Sequence, residues 1–186
     1  HSRGINVILS FQTQLPFDKL PLWRDLRALP LDAQRERLQD AEFRRRLVEA
    51  AEHGDYGKAI GAEARKPDWS RLYLYDRPLP PFQSVADIAA RRAMSPADAM
   101  IQIGLDSGFS ALFMQPMHVY DEADMVEIMR HPRSVMTFSD SGAHVSQIMD
   151  ASIQSYLLAY WVRERQVFTL EEACLLYTSP SPRDQR

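Results

Sequence analysis

The sequence predicts an α/β protein, and three observations carry that expectation. Short apolar, β-rich runs recur at residues 5–11, 72–75, 111–115 and 135–138, with longer stretches of helical spacing between them. Ser84, Ser95, Asp121 and Thr169 stand just ahead of helical stretches, where capping residues are expected. The links are short, with no Gly-rich linker and no internal repeat. Strands alternating with helices are the mark of a parallel β/α sheet, either barrel or open. About four strands are too few for an eight-stranded barrel, so one partial domain is the economical expectation.

Composition narrows the classes. With 186 residues the chain can bury a sizeable core. Lys and Arg number 22 against 25 Asp and Glu, a net charge of -3, so no basic excess suggests nucleic acid as a partner. Hydrophobic residues make up 45%, and no apolar run approaches the roughly 20 residues that span a bilayer, so no membrane partner is expected. The single cysteine, Cys174, excludes an intrachain disulfide and a cysteine-based zinc site. It fits a reducing compartment, the cytoplasm. The chain opens at His1 without Met and enters a strand-like run almost at once, and no signal peptide is expected ahead of it. Residues 174–186 break off a helical pattern and resemble translated sequencing adapter, so they are expected to be a non-native tail. Residues 1–173 are then expected to be an internal piece of a longer enzyme.

In chain order, residues 5–11 read as a buried strand closed by Leu15-Pro16-Phe17. Residues 21–26 form a short helix with Trp23 and Leu26 inward. Asp32 caps a helix from Ala33, and Asp40 either continues it or starts another reaching Glu52. Phe43, Leu47 and Ala50 or Ala51 fall on its apolar side. Arg44, Arg45 and Arg46 read as a solvated face balanced by Glu42 and Glu49 rather than as an anion site. Gly54 is a plausible stop. Leu72 and Leu74 alternate with Tyr73 and Tyr75 as in a strand, and Pro78, Pro80 and Pro81 force an extended loop. Ser84 and Ser95 open the next two helices, the second with Pro96 in its first turn and Gly104 weakening its last. Residues 111–115 are a strand running into Pro116-Met117-His118. Asp121 caps a helix that Pro132 stops, with Met125, Ile128 and Met129 inward. A long helix over 152–165 buries Ile153, Leu157, Tyr160 and Trp161. Thr169-Leu170-Glu171-Glu172 is a capping box for one more.

The stretch that bears on function is residues 134–144. Val135 to Phe138 is a short apolar run that stops at Asp140, then Ser141-Gly142, then His144. A buried strand that delivers a carboxylate at its C-terminal end is how α/β enzymes place a catalytic or metal-binding group. An Asp-Ser-Gly turn after a strand explains the same residues without chemistry.

The surroundings favour the first reading. The run Ile128-Met129-Arg130-His131-Pro132 through Phe138-Ser139-Asp140-Ser141-Gly142-Ala143-His144 resembles the N-acyl-D-amino-acid deacylases of the amidohydrolase superfamily. So do Leu157-Leu158-Ala159-Tyr160-Trp161-Val162-Arg163-Glu164-Arg165, the Thr169-Leu170-Glu171-Glu172-Ala173 run, and the helix pair opened by Ser84 and Ser95. The resemblance covers most of residues 1–173. It implies that they are the C-terminal part of a metal-dependent (β/α)8 TIM barrel, incomplete in this chain, with a sheet domain beside it. It implies one or two Zn2+ ions, with most ligands outside this chain, and a small N-acylated amino acid or related amide as substrate. Asp140 is then the carboxylate at the last barrel strand. It touches or neighbours the zinc, takes a proton from the attacking water and returns it to the departing amine. The family's first-strand His-x-His and its bridging ligand have no counterpart here, so the chain alone is expected to be inactive.

Other residues remain open. His144, four residues after Asp140, either folds over bound substrate or hydrogen-bonds its own loop. His118 reads better as structural or as a partner to a ligand than as a ligand itself. His53 and His131 sit at helix ends, where surface roles suffice. A substrate carboxylate would want a cation, for which Arg77, Arg130 and Arg133 are candidates. Ser139 or Ser141 with His144 and Asp140 holds the residue types of a serine triad. They are packed too closely for its geometry, and no Gly-x-Ser-x-Gly elbow occurs. A non-catalytic helical interaction module is the remaining alternative.

Overall fold

The computed structural model describes residues 6–58, 65–78, 80–116, 121–136 and 152–178. The protein is mixed α/β. The chain divides into two compact units, Val7–Gln115 and a second made of Pro116–Arg186 with the N-terminal His1–Asn6.

In the first unit, β1 (Asn6–Leu9) turns its Val7 and Leu9 inward. Three helices follow: α1 (Pro21–Arg27), α2 (Leu31–Gln39) and α3 (Ala41–His53). Pro21 starts α1 because a first-turn proline gives up no hydrogen bond. Asp40 separates α2 from α3, its carboxylate accepting from the Phe43 N–H at 2.8 Å. Trp23 is wholly buried, and its indole N–H donates to the Leu47 carbonyl at 2.9 Å, tying α1 to α3. Arg27 binds the preceding loop, pairing with Asp18 at 3.1 Å and donating to the Thr13 carbonyl at 3.2 Å, and it reaches α2 by donating to Gln34 Oε1 at 2.8 Å.

The sheet has the order β1-β4-β2-β3, with β2 (Tyr73–Leu74), β3 (Gln83–Ser84) and β4 (Phe113–Pro116). Here the sequence expectation of a parallel sheet needs correction. β2 pairs antiparallel with both β3 and β4, Tyr73 lying opposite Ser84 and Met114. The prolines after Tyr75 turn the chain straight back as β3, and no helix intervenes to carry a parallel crossover. Helix α4 (Val85–Arg92) then starts at Ser84, whose hydroxyl accepts from the Asp87 N–H at 3.0 Å. Helix α5 (Pro96–Asp106) starts at Ser95. Arg44 reaches α5 from α3, donating to Gln102 Oε1 at 2.9 Å and to the Asp98 carbonyl at 3.2 Å. One of the three arginines read as solvated is therefore a clamp between helices.

The second unit contains α6 (Glu122–Arg130), α7 (Ile153–Tyr156) and α8 (Leu170–Tyr177). Asp121 caps α6, accepting from the Ala123 N–H at 2.8 Å. Helix α7 continues directly as a π-helical segment over Leu157–Glu164, closed by the Arg165 N–H donating to the Tyr160 carbonyl at 2.7 Å. The expected long helix is present, but with the wider i→i−5 bonding in its second part. Thr169 and Glu172 form the expected capping box, with the Thr169 N–H donating to the Glu172 carboxylate at 2.8 Å and the Glu172 N–H to Thr169 Oγ1 at 3.1 Å. Met125, Met129, Met136, Ile153, Leu157, Trp161, Phe168 and Ala173 make the core of this unit. Helix α8 runs through Cys174 to Tyr177, and Leu176 packs against that core. Of the strand expected at 135–138, the described residues Val135 and Met136 are in no strand, and the other two fall outside the described residues.

Candidate functional site

Asp140, the expected base and metal-site residue, lies outside the described residues, as do His144 and His118. The approach to Asp140 is described up to residue 136. Pro132 ends α6, and His131 caps it, its Nδ1 accepting from the Arg133 N–H at 3.2 Å. The Ser134 N–H returns to the His131 carbonyl at 2.8 Å, and the Met136 N–H donates to the Leu176 carbonyl at 2.6 Å. Met136 is buried in the core beside Met129 and Trp161, while Val135 points to solvent. Two contacts of different kinds, one backbone hydrogen bond and one buried side chain, thus fix the chain four residues before Asp140.

The three arginines considered for a substrate carboxylate differ in how they are engaged. Arg77 holds Asp76 with two nitrogens, at 3.0 and 3.2 Å, and the pairing keeps the Asp76 carboxyl below its ordinary range. Arg130 donates to the Val167 carbonyl at 2.8 Å and lies 5.5 Å from the Phe168 ring centre. Arg133 is exposed, and its guanidinium has no partner among the described residues.

Zinc takes three or four donors from protein, and Asp140 with His144 supplies two at most. Among the described residues no group of three or more His, Cys, Asp and Glu could hold a metal ion. His53 ends α3 and His131 ends α6, each in the helix-end position expected from the sequence. The described residues therefore do not themselves fit a zinc centre.

Concave surface exists in the first unit. A groove of about 540 Å³ runs between α1, α2 and α3, lined by Leu22, Asp25, Arg37, Asp40, Phe43 and Arg46 among others. Leu22 and Arg46 also border a shallower depression of about 400 Å³, beside Arg45, Glu49 and His53. Arg45 chelates Glu42 at 2.8 and 3.0 Å, which holds the Glu42 carboxyl below its usual value and raises the guanidinium. Arg37 stands 4.6 Å over the Phe43 ring. Asp40 is spent as the α3 cap. The groove's lining residues include no Ser, Cys or His.

One polar group escaped the sequence reading. Gln115, on β4, is buried, and its Oε1 has no hydrogen-bond partner among the described residues. Strand alternation puts it on the same side as Phe113, a signal present in the sequence but weak over four residues. Comparison of the chain with protein-family models, with curated proteins and with solved structures found no match.

Proposed function

We propose that this chain belongs to a metal-dependent hydrolase of non-peptide C–N bonds, one that deacylates N-acyl-D-amino acids. The observation that supports it is the run Ser139-Asp140-Ser141-Gly142-Ala143-His144 placed after the Pro132 stop, in the context of the two downstream helices that resemble the deacylases. Asp140 accepts the proton of the attacking water and returns it to the departing amine, because the amine leaves only once protonated. A carboxylate suits both transfers, being basic enough to take the first proton and acidic enough to give it back. Arg133, the candidate cation left without a partner among the described residues, is the group we assign to the substrate carboxylate. In this reading most of the metal ligands lie outside these 186 residues. In this reading β1 and β4, neighbours in the sheet, belong to the wall of a (β/α)8 barrel. The antiparallel β2 and β3 do not, since that barrel has parallel strands only. The scarcity of cysteine in the chain is consistent with a cytoplasmic enzyme.

The experiment uses the intact enzyme that contains this chain, with amine release from N-acyl-D-amino acids as the readout. Asp140→Asn is expected to abolish turnover while leaving the unfolding midpoint in place, and a chelator should suppress the wild-type rate. Full turnover by Asp140→Asn refutes the assignment of Asp140. Turnover that survives the chelator in wild type refutes metal dependence.

A further inference from the structure

We draw no further inference here: the strongest candidate, the groove between α1, α2 and α3, has walls of nearly balanced charge, and nothing in the structure shows what covers it.

Discussion

Gln115 carries an amide into a place that water does not reach. The residue is 6% exposed, and among the described residues its Oε1 finds no partner in exchange for the hydration it has lost. Such a loss costs about 1–3 kcal/mol. Methionine has a similar length and no oxygen to desolvate. Gln115→Met is therefore expected to leave stability unchanged or raise it by about 1 kcal/mol, read as the urea midpoint at constant slope. A clear drop would mean that the amide is bonded in solution. Tyr56 makes the opposite case, a half-buried polar group that is satisfied. Its hydroxyl donates to the Ala51 carbonyl at 2.6 Å, and burial, helped by Glu52, pushes its pKa upward from 10.0. The unfolded chain releases this proton near pH 10 while the folded chain keeps it. Its contribution is thus complete below pH ~10 and falls as the pH rises beyond that. Tyr56→Phe should be less stable than wild type near neutrality by about 1 kcal/mol. The gap should narrow above pH ~10. Urea midpoints at both pH values check it, and a gap that widens with pH contradicts the account.

Among the elements, α5 shows how a local rule yields to packing. Read along the chain, Gly104 weakens a helical turn, and alanine would be the better helix former by about 1 kcal/mol. In the fold, a Cβ at Gly104 would lie 2.5 and 2.7 Å from carbons of the Phe11 ring. That ring cannot easily withdraw, being buried and stacked on Phe109 at 4.8 Å and 13°. Overpacking of this kind costs about 1–3 kcal/mol, so the clash outweighs the propensity gain. Gly104→Ala is expected to lower the thermal midpoint, and a rise would show that Phe11 has room to move. The π-helical segment over Leu157–Glu164 is a second departure from what the chain pattern gives. Leu157 and Trp161 are buried four residues apart, a spacing that an α-helix would satisfy equally. The Trp161 carbonyl accepts from the Val167 N–H at 2.9 Å, bonding the helix to the turn that follows it. The sequence pattern reports the buried face but says nothing of the bonding period.

At the level of the molecule, each unit has a core of its own. In Val7–Gln115, Phe17 and Trp23 pack at 4.0 Å between ring centres, and Leu38, Leu47, Leu72, Met100 and Phe113 are fully buried. A segment of roughly a hundred residues with such a core is large enough to fold alone. Residues 7–115 expressed by themselves are expected to keep a helical circular-dichroism signal and to unfold cooperatively in urea. A gradual, sloping transition would show that this core depends on the other unit. Among the described residues no helix is long and apolar enough to cross a membrane.

The chain's own pattern determined where several helices begin, because capping is local, although α2 starts at Leu31 after Pro30 rather than at the expected Asp32 cap. Ser84, Ser95, Asp121 and Thr169 each bond an N–H two or three residues ahead, a contact that needs no distant partner. It also gave most of the apolar helix faces, although Ile128, read as inward on α6, is exposed; the expectation that Asp140 transfers a proton falls outside the described residues. Tertiary structure alone decided that β2 runs antiparallel to its neighbours, that Arg44 clamps α3 to Asp98 some fifty residues away, and that Gly104 makes room for Phe11. These outcomes depend on which distant segments meet. Periodicity and capping describe a residue's relation to its near neighbours, whereas strand direction and side-chain clearance are relations between segments brought together only when the chain has folded.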